Sequence, residues 1–193
     1  PVVNAGELEF GISNAVQFNM ALRGSGISKR KYNNLRVVSQ LMTFRTGPIV
    51  PANSSIKELK DVKGKRVPYG FKAAPLFQHI FTGYLTNAGL TWDDVVKVPT
   101  VALRQNWNLF KQGKTDLSIG NPGSGLNKGL NAAVKGGIRH LSLYTGTPGA
   151  KKLLNDLPKM VYYPLGKKKK YSAVYGDLQL MGMAFLLWTH KDA

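Results

Sequence analysis

The feature that most constrains the fold is a short predicted strand followed by a long amphipathic segment. The predicted strand Lys65–Tyr69 stops at Gly70. Pro75 then suits the first turn of a helix, because it lacks the N–H that would be unpaired there. An apolar face follows at helical spacing and ends before Gly89. Its members are Leu76, Phe77, Ile80, Phe81, Tyr84, Leu85 and Ala88.

The same succession of strand and helix recurs along the chain. Strands are predicted at residues 8–12, 35–41, 47–50, 65–69, 95–98, 116–119, 140–144 and 181–189. Helical segments separate most of them, with Thr100 as the predicted cap of one helix, and residues 160–173 are predicted to form a loop. Short strands that alternate with longer helices are typical of βαβ units around a mostly parallel sheet, so the predicted fold class is α/β.

A net charge of +17, from 27 basic and 10 acidic residues, suggests nucleic-acid binding at first sight. The excess is spread evenly, however, and only Lys29–Lys31 and Lys167–Lys170 form basic runs, each among small polar residues typical of exposed loops. No zinc spacing, RNA-binding aromatic strand or helix-turn-helix signature accompanies them. The charge is therefore better explained by solvated loops, and its field would concentrate small anions as readily as nucleic acid.

The sequence offers no recognisable catalytic, metal or cofactor site. Cys is absent, and His79, His140 and His190 have no metal-ligand or triad spacing to other residues. Asp93 and Asp94 follow a turn, where first-turn carboxylates usually cap a helix. These observations predict no enzymatic activity. No run of about 18 apolar residues is present either, so membrane insertion is not predicted.

Three loops follow predicted strands, where α/β sheets bind ligands. The loop Gly70–Pro75 combines the N–H groups of the next helix with the Lys72 ammonium, a combination suited to an anion. The loop Gly120–Ser124 has glycines that permit close backbone approach, and Ser13–Asn14 follows the first strand. Taken singly, each loop is more simply explained by ordinary turn and cap residues than by ligand binding.

Four segments, taken in order, resemble a known family. They are Glu9–Asn14, Leu59–Val67, Asn87–Val95 and Lys111–Asp116. Their succession resembles the extracytoplasmic solute-binding receptors, most closely the TAXI family that serves TRAP-type transporters, within the type II periplasmic binding protein superfamily. The resemblance covers about residues 7–145, and residues 185–192 are similar to the family's returning strand.

The resemblance implies a periplasmic receptor with two α/β lobes that close over a small anionic ligand, such as an amino acid or another carboxylate. It also implies delivery to a TRAP-type membrane permease, without a cofactor. Residues 1–47 correspond to a remnant of lobe one, and residues 48–193 to lobe two with the returning crossover strand. Because the family is longer at both ends, we expect the sequence to be a fragment.

The resemblance also implies a set of ligand-binding residues. The family's loop positions correspond to Ser13, Asn14, Gly70, Phe71, Lys72, Ala73, Ala74, Gly120, Asn121 and Pro122. Thr43 and Arg45 would lie beside the crossover into lobe two. Where the family commonly has a small run of the Gly-Ser-Gly-Thr type, this chain has Phe71–Pro75. That departure removes hydroxyl groups and adds a Lys and a Phe, which bears on the ligand's identity and size.

Two other functional classes stay open at this stage. A basic nucleic-acid-binding module would bind DNA or RNA with an affinity that falls steeply with salt. An enzyme on the same binding-protein fold, for example one acting on pyrimidine precursors, would need a His or carboxylate constellation in the loops, and the sequence shows none.

Overall fold

The computed structural model describes residues 1–166 and 171–193, so the predicted basic run Lys167–Lys170 lies outside the described residues. The strands are β1 (Phe10–Asn14), β2 (Leu35–Pro51), β3 (Arg66–Gly70), β4 (Val96–Thr100), β5 (Ser118–Gly120), β6 (Ile138–His140), β7 (Val161–Leu165) and β8 (Leu178–His190). The helices are α1 (Ala15–Arg23), α2 (Pro75–Asn87), α3 (Leu103–Lys111), α4 (Gly125–Ala133) and α5 (Pro148–Asp156). This succession confirms the α/β class.

Several predicted segments differ from the structure, and the strand predicted at 140–144 overlaps β6 only at His140. The strands predicted at 35–41 and 47–50 form one continuous strand, β2, because its second half pairs with both β5 and β6 despite Gly47 and Pro48. The loop predicted at 160–173 contains β7, whose pairing with β8 is a tertiary contact that sequence periodicity does not report.

Local caps follow the sequence in part. Pro75 occupies the first turn of α2, and Asp94 accepts hydrogen bonds from the backbone N–H and hydroxyl of Thr91 at 2.9 and 3.0 Å, as predicted for a first-turn carboxylate. The predicted cap Thr100 is wrong. Its hydroxyl instead donates to the Val98 carbonyl at 3.0 Å, because Thr100 is still part of strand β4.

Strand direction is where the structure departs from the mostly parallel sheet predicted. β3 and β4 are parallel, with Gly70 opposite Thr100. β2 is antiparallel to β5 and β6, and β1 is antiparallel to β8. In the sheet, β8 lies between β1 and β2, and among the described elements of the chain it is preceded by β7 and not by a helix, so the rule that makes strand–helix–strand units parallel does not apply to it.

The chain divides into two compact units. Unit 1 comprises Pro1–Phe44, Leu157–Val161 and Gly182–Ala193. Its core contains Val3, Phe18 and Leu35, with Trp188 packed against them. Asn14 starts α1 by accepting a hydrogen bond from the Gln17 backbone N–H at 2.9 Å.

Unit 2 comprises Arg45–Asp156 and Tyr162–Met181. In one part of its core, the predicted apolar face of α2 is buried, and Phe71 stacks on Phe81 with ring centroids 5.3 Å apart. A second cluster contains Ile49, Phe110, Leu130, Val134, Ile138 and Ala173. These buried side chains support the loops that follow β3 and β5.

Candidate functional site

The loop after β5 is held by hydrogen bonds on both sides. The Thr46 hydroxyl donates to the Gly120 carbonyl at 2.9 Å. Ser124 caps α4 by accepting from the Asn127 backbone N–H, and its hydroxyl donates to the Asn121 carbonyl at 2.8 Å. These bonds give residues 120–124 a defined conformation at the carboxyl end of β5.

Gly123 in this loop makes room for an aromatic ring. Its φ is +84°, and a Cβ at this position would lie 2.8 Å from the ring of Tyr171. Any other residue would meet both backbone strain and a steric clash with Tyr171. Glycine therefore allows the Tyr171 ring to lie directly against the loop backbone.

Arg45 lies beside the same tyrosine. Its guanidinium carbon is 5.3 Å from the ring centroid of Tyr163 and 5.8 Å from that of Tyr171, within cation–π range. The Arg45 Nη1 donates a long hydrogen bond of 3.5 Å to the Tyr171 hydroxyl. Among the described residues, no carboxylate forms an ion pair with Arg45. Arg45 is half-buried, and it presents guanidinium donors that match a carboxylate or another oxyanion.

A buried polar network lies behind the loop. His140 Nε2 is 2.9 Å from Asn127 Oδ1, and Asn127 Nδ2 donates to the Ser172 carbonyl at 3.1 Å. Since the Asn127 amide nitrogen donates to a carbonyl, its oxygen faces His140, which therefore carries its proton on Nε2. Burial lowers the pKa of His140 to about 3, so the imidazole is neutral at physiological pH. Its Nδ1 is buried and has no hydrogen-bond partner among residues 1–166 and 171–193.

Tyr84 brings a second buried polar group to this region. Burial raises the pKa of its phenol far above the usual range, and the neighbouring Thr46 hydroxyl offsets this only in part. Tyr84 is fully buried and packs edge-on against Phe81. It therefore acts as a neutral core residue under the Thr46–Gly120 contact.

The loop after β3 uses most of its backbone donors within the protein. The N–H groups of four predicted site residues donate to protein oxygens at 2.6 to 3.0 Å. The pairs are Gly70 with the Gln78 side chain, Phe71 with Thr100, Ala73 with Val101, and Ala74 with Phe71. An anion at this loop would therefore depend on the Lys72 side chain and the first turn of α2.

Phe71 and Lys72 point their side chains into different environments. Phe71 has a φ of +40° and is fully buried, stacked on Phe81. Lys72 is exposed. Ala74 precedes α2 and forms no side-chain cap within the described residues, and the Phe77 N–H in the first turn donates to the Ala74 carbonyl at 3.0 Å. Within this loop, Lys72 is the side chain that can reach a solute.

Three other predicted site residues lie in unit 1. The Ser13 hydroxyl donates to the Asn14 carbonyl at 3.4 Å, and Ser13 lines a cavity of about 820 Å³ together with Phe18 and Trp188. The Asn14 side chain is occupied in capping α1. Thr43 is exposed and accepts a hydrogen bond from Gln40 Nε2 at 3.3 Å.

The structure thus groups some of the predicted residues and adds others. In unit 2, Thr46 and Tyr171 link Arg45 to the loop of Gly120, Asn121 and Pro122. The residues that sequence reasoning missed are Thr46, Asn127, His140, Tyr163 and Tyr171. The tyrosines had one available signal, since aromatic residues flank the run of lysines in a segment otherwise predicted as loop. We refer to Arg45, Tyr163, Tyr171 and residues 120–123 as the Arg45 site.

Across residues 1–166 and 171–193, no group of three or more His, Asp or Glu side chains is close enough to hold a metal ion. No helix in the described part of the chain is long and apolar enough to cross a bilayer.

Comparisons with known proteins give a family and a fold. A family model described as NMT1/THI5 like matches residues 1–125. No curated protein sequence matches the chain. Among solved structures, a periplasmic sulfonate-binding protein of an ABC transporter from Methylobacillus flagellatus superimposes with a TM-score of 0.53 at 17% identity. The aliphatic sulphonate binding protein SsuA from Escherichia coli gives 0.55 at 16% identity.

The extent of these matches is uneven. Each alignment covers 99% of this chain but only 44% and 50% of the respective relative, so the chain spans about half of their length. At these identities the likeness shows the fold, which is that of periplasmic binding proteins.

Proposed function

The chain belongs to the NMT1/THI5-like family, and from this premise we propose that it is part of a periplasmic solute-binding receptor for a small anion. The observation that carries the proposal is Arg45, a half-buried guanidinium without an ion-pair partner among the described carboxylates. It lies beside the Tyr171 hydroxyl, and Tyr171 in turn lies against Gly123. A binding function is proposed rather than an enzymatic one.

The chemistry of the Arg45 site favours an oxyanion. A guanidinium has five N–H donors in a planar fork, and at a half-buried position solvent screens its charge less than at the surface. The Tyr171 hydroxyl adds a donor or acceptor next to it. The +17 charge of the chain further raises the local concentration of anions. A small carboxylate is the proposed ligand, and a sulfonate shares the same oxyanion chemistry.

The receptor role has several further parts, all of which rest on the motif order described above. We assign residues 1–47 to lobe one and residues 48–193 to lobe two of a clamp that closes over the ligand. The TAXI family and delivery to a TRAP-type permease remain our finer proposal. The Methylobacillus flagellatus protein of the same fold is named for an ABC transporter, so the class of permease is a point for direct test.

Titration calorimetry on the full chain tests the ligand proposal. Glutamate and ethanesulfonate serve as probes. The difference between their affinities distinguishes carboxylate from sulfonate recognition. Arg45→Ala should weaken binding at least tenfold, because a hydrogen bond to a charged group contributes about 1.5–3 kcal/mol. Arg104→Ala is the matched control, since it removes the same charge from an exposed position in unit 2.

Two results would overturn the proposal. The first is a folded protein that binds no small anion. The second is an equal loss of affinity in Arg45→Ala and Arg104→Ala, which would show that binding follows net charge alone. Lys72→Ala tests the loop after β3 in the same assay, and an unchanged affinity would remove Lys72 from the site.

A further inference from the structure

Asn127 and His140 have no direct role in the receptor function proposed above, yet they connect the turn that carries Tyr171 with the end of the loop after β5. We propose that Asn127, supported by His140, is a positioning residue that holds Tyr171 against Gly123 and Arg45. The consequence for ligand affinity rests on the proposed function, whereas the placement of Tyr171 does not.

Asn127 is fully buried and uses all of its polar groups. Its backbone N–H donates to the Ser124 hydroxyl at 3.1 Å, which fixes the end of the loop after β5. Its Nδ2 donates to the Ser172 carbonyl at 3.1 Å, and its Oδ1 accepts from His140 Nε2 at 2.9 Å. One side chain therefore joins α4, β6 and the residue that follows Tyr171.

The segment that carries Tyr171 is held by tertiary contacts. Residues 171–174 form a turn in which the Val174 N–H donates to the Tyr171 carbonyl at 3.3 Å. Ala173 in this turn has a φ of +69°, a left-handed conformation that is unfavourable for a residue with a Cβ. Such conformations persist where the surroundings over-determine them. Here the surroundings are the His140 backbone N–H, which donates to the Ala173 carbonyl at 3.0 Å, and the core around the Ala173 methyl group.

Loss of the Asn127 side chain would remove the hydrogen bond that holds the Ser172 carbonyl of this turn. The Ser172 carbonyl and His140 Nε2 would both lose a buried partner, and the turn would keep a single backbone bond to β6. Tyr171 would then be free to leave Gly123. Arg45 would lose one aromatic face and the phenol hydroxyl, so the oxyanion site would be less well organised.

Fluorine NMR on the full chain labelled with 3-fluorotyrosine tests the placement without any ligand. The chain has eight tyrosines, and the Tyr171 resonance is identified by its absence from Tyr171→Phe. In Asn127→Ala, the Tyr171 resonance should move towards the position of free 3-fluorotyrosine and lose its response to Arg45→Lys. The resonance of Tyr84, a fully buried residue that packs against Phe81, reports on the core of unit 2 and should stay in place.

An unmoved Tyr171 resonance in Asn127→Ala would overturn the inference. If Asn127→Ala does not fold, Asn127→Ser replaces it, since its shorter side chain keeps a polar group but does not reach the Ser172 carbonyl. Movement of both the Tyr84 and Tyr171 resonances in each folded variant would assign Asn127 a general structural role, and the inference would be wrong.

A double-mutant cycle on anion affinity then tests the functional consequence, with glutamate or ethanesulfonate as the probe. Asn127→Ala should weaken binding about fivefold, the equivalent of one hydrogen bond, in the otherwise natural chain. In a Tyr171→Ala background it should change affinity less than twofold. Equal losses in both backgrounds would contradict action through Tyr171. If neither probe binds, the receptor proposal fails, while the NMR result still decides the placement of Tyr171.

Discussion

Gly120→Ala should destabilise unit 2, because the position has no space for a methyl group. A Cβ there would lie 2.7 Å from Asn127 Oδ1, 2.9 Å from Ile49 Cγ2 and 3.2 Å from His140 Cε1. The backbone of Gly120 is not strained, so the effect is one of packing alone. Gly129→Ala is the matched control, since Gly129 lies within α4 and no atom of the described residues beyond its own helical turns is within 4 Å of its added Cβ.

The expected loss follows from two contributions. Overpacking a close-packed core costs about 1–3 kcal/mol. If Asn127 rotates away to relieve the clash, its buried hydrogen bonds are left unsatisfied, at a further cost of about 1–3 kcal/mol. Because rotation of Asn127 relieves part of the overpacking, the two costs do not add in full, and we expect Gly120→Ala to lower the free energy of unfolding by about 2–4 kcal/mol. Gly129→Ala should raise it by about 0.5–1 kcal/mol, because alanine is the better helix former.

Urea unfolding followed by circular dichroism and tryptophan fluorescence measures both effects. For an m-value of about 2 kcal/mol/M, the midpoint of Gly120→Ala falls by about 1–2 M. A midpoint equal to that of the natural chain would refute the reasoning, since it would mean that the three contacts yield without cost. An equal loss in Gly129→Ala would refute it as well, because the loss would then not depend on the surroundings of the glycine.

Two further predictions concern pH. Burial lowers the pKa of His140 to about 3, below its value of about 6.5 in the unfolded chain, so the unfolded state alone takes up this proton between these pH values. The free energy of unfolding should therefore be constant above pH 6.5 and fall by about 1 kcal/mol per pH unit below it. Urea unfolding at several pH values measures this dependence, and a His140→Gln variant with the same dependence on pH would contradict the prediction. For Asp116, burial alone raises the pKa, but hydrogen bonds from the Arg66 side chain and backbone outweigh it, and the pKa is lowered. Asp116→Asn should thus be less stable than the natural chain by about 1 kcal/mol at pH 7, and the difference should decrease as the pH falls below about 4. A constant difference in stability between pH 7 and pH 3, measured by thermal unfolding, would rule this out.

Much of the local structure could be predicted from the sequence. The apolar face that begins at Leu76 and the Pro75 start of α2 are both present, and Asp94 caps the turn as expected. These features depend on residues within a few positions of one another, whose spacing is visible in the sequence. Thr100 shows the limit of this reasoning, since its hydroxyl could serve a helix or a strand and only the pairing of β4 with β3 decided the matter.

The candidate site was only partly accessible to such reasoning. The sequence alone indicated the α/β class and the loops after β3 and β5, and the family resemblance added Arg45 as a predicted ligand-binding residue. The tertiary structure decided that the backbone donors of the loop after Gly70 are largely used within the protein, and that Arg45 meets a tyrosine 126 residues away. The physical reason is the distance along the chain between the residues that interact. Helical periodicity and caps arise from neighbouring residues, whereas the contacts of Arg45, Tyr171 and Asn127 exist only once distant strands have paired and the core has closed around them.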